Sequence, residues 1–500
     1  MSLRTTLAAP ATTGPGDPGD PPRPGFLRRH VLFLVLLLAG TALRVVAQLA
    51  YRPALLYVDS FRYLSNIDST GIKGSDPLGY TLFLRGLLRI PDLAVVPIVQ
   101  HLMGLGLAVA LYALLVRRGV RTWLAALAAA PVLLDAYILQ IEQLVMSDTL
   151  FIALEATGLI LLAWRRRPPV TAIVVAGLAL GAAVTVRSVG QPVVIIALVY
   201  AVATAGRGWR RRLTRGAALV AACVVPVAAY GVWTIAQYGH VGLGSSHGRM
   251  MYGRAATFAD CRGLDLPAYE RSLCPKQPVD QRPGVDVFMW GVESPASTYK
   301  PPPGVTKDAA FGDFAMRVFR HQPLDLAWAV TLDMLRGFQP TKAEMHNQVS
   351  VTRWQFQEGY PQTIGIDPSS VPALVRTGGV DTYADPGLAK FLRAYQLSVG
   401  YLPGTVVGLS LLLGALAFLG VGRARRSPLR GACFVLTGGV TGMLLVASLV
   451  EFSWRYHLPG IVLGPVAGAL ALTAIFGRTR NARGVGDASG VGREREDARR

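Results

Sequence analysis

The sequence predicts an all-α polytopic membrane protein. About ten transmembrane helices are expected, with short interfacial helices in the first outer loop and a mixed extracytoplasmic loop domain. Three observations carry this. Of 500 residues, 52% are hydrophobic and 16% charged, against about 25% charged in soluble chains. Apolar runs near the roughly 20 residues needed to span a bilayer recur along the chain, and mean hydropathy is +0.39. The arginine clusters fall between those runs in an alternating pattern.

The apolar runs are 31–50, 94–116, 122–137, 148–164, 170–187, 191–206, 216–238, 402–421, 431–450 and 458–476. With the N-terminus inside, the inner segments hold Arg28-Arg29, Arg117-Arg118 with Arg121, Arg165 to Arg167, Arg207 to Arg215, Arg423 to Arg430 and the tail. Every dense basic cluster then lies on one side, as positive-inside bias requires. The net charge of +20 therefore orients a membrane protein. Nucleic-acid binding would need a continuous basic face with stacking aromatics instead.

This divides the chain into a disordered cytoplasmic N-terminus (1–28) and an N-terminal transmembrane module (29–238) with its first outer loop at 51–93. An extracytoplasmic loop domain (239–401), C-terminal transmembrane helices (402–476) and a disordered basic cytoplasmic tail (477–500) follow. The N-terminus is rich in Pro, Gly and Thr, which disfavours a packed core. Its first apolar run is long and starts late, so it reads as a retained helix rather than a cleaved signal. Cys261 and Cys274 lie close in the outer loop and are expected to form a disulfide. Cys223 and Cys433 fall in apolar spans as small buried side chains.

The chemistry-bearing residues cluster at the outer surface. Asp59 in "YVDSFRYL" follows the first span, either capping a short interfacial helix or acting in a site. Asp76 precedes Pro77-Leu78-Gly79-Tyr80, where Pro77 suits the first position of a second helix capped by Asp76. Asp148 sits where the fourth span begins. Glu155, deeper, invites pairing with Arg44 or Arg187, since ionisable groups in spans are costly. Arg187 in "VTVRSVG" and Arg455 in "EFSWRYHLPG", with Trp454, Tyr456 and His457, fall at outer turns. They fit an aromatic belt with snorkelling arginines, or phosphate recognition by guanidinium. No nucleotide-binding or nucleophile-elbow motif stands in a usable context.

In their order, these segments resemble the polyprenyl-phosphate-dependent GT-C glycosyltransferases, among them bacterial relatives of the protein O-mannosyltransferases and the lipid A aminoarabinose transferase. The matching elements are Asp59 in "YVDSFRYL", "PLGYTLFL" (Pro77 to Leu84), "SDTLF" (Ser147 to Phe151), the turn at Arg187 and "RYHLP" (Arg455 to Pro459). "FRHQPLDLAWAV" is similar to a juxtamembrane "HPxxYL" segment with Gln322 inserted, and "YGRAATFADC" to actinobacterial members.

The resemblance implies a bacterial plasma-membrane enzyme with its site on the extracytoplasmic side. It would transfer a sugar from a polyprenyl phosphate, with inversion, to a hydroxyl of a glycan, lipid or protein acceptor. Membrane lipid would surround it, and no nucleic acid is involved. Asp59 would be the catalytic base. Asp76, Tyr80, Asp148, Arg187, Arg455, Tyr456 and His457 would bind substrate, the arginines taking the leaving phosphate. Many members carry an acidic pair where this chain has Asp59-Ser60, which weakens a metal site. A divalent cation would need Asp76 or Asp148 beside Asp59, and no cofactor is otherwise implied. A flippase of lipid-linked sugars would show midplane polar groups and inverted repeats. A polysaccharide polymerase or ligase would share the donor, and a scaffold would make no demand on Asp59.

Overall fold

The computed structural model describes residues 25–69, 77–238, 247–345, 347–361 and 365–477. Asp76 and most of both expected disordered termini lie outside the described residues. The protein is an all-α polytopic membrane protein, and each of the ten apolar runs is helical. The first half contains α1 (Phe26–Ala50), α2 (Val58–Ser65), α3 (Gly79–Leu87), α4 (Val95–Arg117), α5 (Thr122–Leu134), α6 (Ala136–Gln143), α7 (Asp148–Ala163), α8 (Val170–Val186), α9 (Gln191–Ala203) and α10 (Trp209–Tyr238). The loop segment contributes α11 (His247–Ala256), α12 (Val285–Trp290), α13 (Pro295–Thr298), α14 (Lys307–His321), α15 (Pro323–Arg336), α16 (Pro372–Arg376) and α17 (Pro386–Ser398). The last apolar helices are α18 (Gly404–Leu419), α19 (Arg430–Val450) and α20 (Leu458–Phe476).

Five helical stretches among the described residues are long and apolar enough to cross a membrane, six if the bent pair α5–α6 counts as one. The remaining apolar helices α7, α8, α9 and α18 have 13 to 17 residues. At 1.5 Å rise per residue they are shorter than the roughly 30 Å hydrocarbon core.

Small residues let the spans approach, which matters where lipid offers no hydrophobic drive for helix pairing. Gly177 and Gly181 of α8 form a GxxxG face against Ala222, Cys223 and Pro226 of α10. Gly460, Gly464 and Gly468 of α20 pack against Val407 and Ser410 of α18.

The α5–α6 break bends by 45° and is held by polar groups. Asp135 caps α6 by accepting from the Tyr137 and Ile138 amides, and its other oxygen accepts from the Leu402 amide at 2.8 Å. Arg44 of α1 donates to the carbonyls of Val132 and Leu133 and to Glu142 Oε1 at 2.8 Å. His101 Nδ1 meets Glu142 Oε2 at 2.9 Å. Arg44 is thus spent on Glu142, and the expected Arg44–Glu155 pair does not form. Glu155 is buried with neither carboxylate oxygen hydrogen-bonded.

The loop segment is mostly helical and irregular, with one short strand. Tyr51–Arg52 pairs antiparallel with Tyr383–Ala384, the one sheet among the described residues. Residues 252–319 keep their own apolar core, with Tyr252, Phe288, Phe311 and Phe314 at its centre. Cys261 and Cys274 are disulfide-bonded beside it, Cα atoms 6.3 Å apart.

Candidate active site

Four segments distant in sequence meet where α2, α7, α8 and the turn before α20 converge. Asp59 lies in the first turn of α2 and Asp148 opens α7. Both carboxylates face the positive end of a helix dipole. Arg187 ends α8 in extended conformation, its amide bonded to the Ala183 carbonyl. Arg455 sits in a one-turn 3₁₀ helix, Trp454–His457, that leads into α20.

Arg455 joins the two acids. Its Nε donates to both Asp148 oxygens, at 3.0 and 2.9 Å, and one terminal nitrogen donates to Asp59 Oδ2 at 2.9 Å. Arg187 donates to Asp148 Oδ1 at 2.8 Å. Arg62, one helical turn after Asp59, approaches its Oδ1 at 3.6 Å. The Arg455 guanidinium lies 5.4 Å from the Trp354 ring and 5.7 Å from the Tyr456 ring, and Arg187 lies 5.3 Å from Tyr456. Both arginines thus rest on aromatic faces, a favourable setting for cations. Three guanidiniums against two carboxylates leave one net positive charge.

Burial works to raise the Asp59 carboxyl, but Arg455 and Arg62 outweigh it and hold it below the usual carboxylate range. Asp59 keeps a quarter of its side chain exposed, whereas Arg455 and Asp148 are nearly enclosed. The reachable group is therefore the carboxylate of Asp59. Arg455, behind it, holds a geometry that a lysine could not, because only a planar fork can serve two carboxylates at once.

The supporting contacts start in local sequence. Ser60 Oγ accepts from the Tyr57 amide and donates to the Val145 carbonyl, both at 2.9 Å. This ties α2 to the strand-like chain before α7. Tyr63 OH and Ser147 Oγ are 2.9 Å apart, which fixes the start of α7 against α2. Tyr80 is fully buried, donates to Gln100 at 2.8 Å and packs edge-on to Tyr63. It acts as a brace behind Tyr63 and lies away from the open face.

Other expected placements differ. The helix after Pro77 begins at Gly79 with Leu78 as its cap, not at Pro77. The Leu78 amide is taken by Tyr230 OH at 2.9 Å, and Gly79 lies directly on the Thr185 backbone, so contacts with α8 and α10 set the start. His457 points away from the arginine cluster into a buried niche at Gly337 and Phe338, with Nε2 unpartnered. Arg187 pairs with Asp148 rather than Glu155.

Sequence reasoning overlooked Arg62, Trp354 and Glu451. Arg62 at i+3 from Asp59 carried a signal, since such positions share a helix face. Trp354 lies in a loop without periodicity. Glu451 follows α19, and one of its oxygens is buried without a partner. Burial and Asp286 push its carboxyl up to about 8, while Arg254, Arg455 and Arg353 pull the other way.

Asp59 and Asp148 by themselves do not suit a divalent cation, and Asp76, the third expected ligand, lies outside the described residues. Asp59 and Asp148 are already bridged by Arg455, and among the described residues no three His, Cys, Asp or Glu side chains group as metal ligands. Hard cations need several free oxygens.

Residues 96–240 match the family described as dolichyl-phosphate-mannose-protein mannosyltransferase. No curated protein matches the chain. A solved structure of the Saccharomyces cerevisiae protein O-mannosyltransferase Pmt1–Pmt2 complex bound to the sugar donor is similar at 14% identity and a TM-score of 0.34. That likeness covers 51% of this chain and 37% of the yeast chain, so the chain spans little more than a third of its relative's length.

Proposed function

We propose that the protein is a membrane glycosyltransferase that moves a sugar from a polyprenyl phosphate to an acceptor hydroxyl at the extracytoplasmic membrane face. The observation that carries this reading is the Arg455 bridge between Asp59 and Asp148. The match of residues 96–240 to the mannosyltransferase family supports it and favours mannose as the sugar.

The chemistry follows from the bridge. The donor phosphate enters beside Arg455 and Arg187 and competes with Asp59 for the guanidinium. As Arg455 turns to the phosphate, Asp59 keeps only the more distant Arg62 and becomes more basic. The acceptor oxygen then attacks the anomeric carbon, a new C–O bond forms and its proton passes to Asp59. The bond from the anomeric carbon to the phosphate oxygen breaks, and polyprenyl phosphate leaves with the electron pair. Attack opposite the leaving group inverts the anomeric centre. Arg455 and Arg187 hold the charge that develops on the phosphate, where preorganised donors contribute most.

The test is transfer of labelled sugar in proteoliposomes from a panel of polyprenyl-phosphate donors, with wild type and Asp59→Asn at equal protein. The proposal expects transfer by wild type and a loss of about a hundredfold or more with Asp59→Asn, the scale of a positioned base. No transfer from any donor, or equal transfer by both, would sink it.

A further inference from the structure

Next to Asp59 the chain forms an open-mouthed cavity of about 460 Å³, within the range of about 300–1,000 Å³ that holds small ligands. Tyr57 and Val58, the two residues before Asp59, form one wall. Gln140 of α6 and the segment from Thr352 to Gln357 form two more, and Leu55, Leu56, Leu144 and Pro361 supply an apolar remainder. We propose that this cavity is the acceptor subsite and that it takes a neutral saccharide. The assignment rests on the glycosyltransferase reading above and adds the class of acceptor.

The lining decides the chemistry. Arg353 is the single charged residue in it, and that charge is matched by Asp286 at 3.1 Å, with a further contact to Tyr57 OH at 3.3 Å. A charged acceptor would find no unspent counterion. The remaining polar groups are amides and a hydroxyl: Gln140, Gln355, Gln357 and Thr352. The Gln357 amide nitrogen is spent on the Thr352 and Gln355 carbonyls and that of Gln355 meets Tyr137 OH, which leaves their amide oxygens to accept from hydroxyls on a sugar ring. Tyr57 adds aromatic surface for the ring's apolar face.

Gln140 supplies an independent pointer. It is 4% exposed and its Oε1 has no hydrogen-bond partner. A buried amide oxygen left unpaired costs about 1–3 kcal/mol. That oxygen is closed to water, so it meets a ligand hydroxyl only when the side chain turns into the cavity that Gln140 lines.

A peptide acceptor binding as an added strand would need a free backbone edge. The backbone here is engaged. The Leu55 amide donates to the Gln143 carbonyl and the Leu55 carbonyl accepts from the Val145 amide, both at 3.0 Å. The Tyr57 amide is taken by Ser60.

The experiment is saturation-transfer NMR on the full chain in nanodiscs without donor. The probes are a panel of neutral disaccharides and a serine/threonine hexapeptide. At least one disaccharide should bind wild type, and Gln140→Leu should weaken that Kd about tenfold, the value of one hydrogen bond near 1.4 kcal/mol. The melting temperature of Gln140→Leu should stay level or rise, since the unpaired oxygen is removed. Val58→Trp, at a position 47% exposed, fills the cavity without touching the core and should abolish binding. The inference is overturned if no disaccharide binds, or if both variants bind like wild type. Binding of the hexapeptide that depends on Gln140 would likewise replace the saccharide with a peptide. Because no donor is present, lack of sugar transfer with intact Gln140-dependent binding would count against the glycosyltransferase reading alone.

Discussion

Arg455 and Asp59 are 396 residues apart in sequence and 2.9 Å apart in space. The same guanidinium also clamps Asp148. One side chain thus couples the loop after the first span to the start of the last.

Arg455→Lys should cost about 10²–10³-fold in kcat, the scale of losing one preorganised donor on developing charge. A lysine keeps the charge but cannot reach Asp59 and Asp148 together. Arg455→Ala should also destabilise the protein by about 3–5 kcal/mol, because Asp148 is left buried with a lost partner. Steady-state kinetics and thermal melts on the two variants separate the effects.

The pH profile should carry a signature of the bridge. In the free enzyme Asp59 is held below its usual value, so the acid limb of kcat/KM should lie below about pH 4. With donor bound, the phosphate draws Arg455 away and Asp59 rises. The acid limb of kcat should therefore sit at higher pH than that of kcat/KM, since the two report bound and free enzyme. Coincident limbs would mean that donor binding leaves the pair intact.

Glu451 should make stability fall with rising pH. Its folded value near 8 lies above its ordinary 4.5, so the folded state holds the extra proton between those values. The contribution is fully present below about pH 4.5 and lost as pH rises through about 8. Glu451→Gln mimics the neutral form and should flatten this slope. Melting temperatures from pH 5 to pH 9 give the comparison.

Gly79→Ala should reduce transfer severalfold or more while leaving Asp59, Asp148 and Arg455 in place. An added methyl would run into the Thr185 backbone, pushing α3 from α8 two residues before Arg187. Placing a reactant about 1 Å off costs on the order of a hundredfold. Unchanged activity would show that the α3–α8 contact does not set Arg187.

Cys261→Ser with Cys274→Ser should destabilise the small core at residues 252–319 by about 2–4 kcal/mol, by the loop-closure argument. Limited proteolysis should then cut that segment first.

The helices were legible because the spans announce themselves by apolar length, and all ten runs are helical. Asp59, Asp148, Arg187 and Arg455 were each visible as charges at the ends of apolar runs. Their joining was not, because nothing local links Asp59 to Arg455 across most of the chain. Pro77 misled because tertiary contacts of Leu78 and Gly79 with Tyr230 and Thr185 override its preference for a helix start. Glu155 misled because Arg44 had a better partner in Glu142 at the α5–α6 break. Trp354 and Gln140 carry no pattern, and only the fold brings them to the site.

The most direct measurement is the affinity of polyprenyl phosphate for wild type and Asp59→Asn, beside their transfer rates. If Asp59 competes with the phosphate for Arg455, Asp59→Asn loses transfer yet binds polyprenyl phosphate more tightly. Weaker phosphate binding by Asp59→Asn, or retained transfer, would contradict the account.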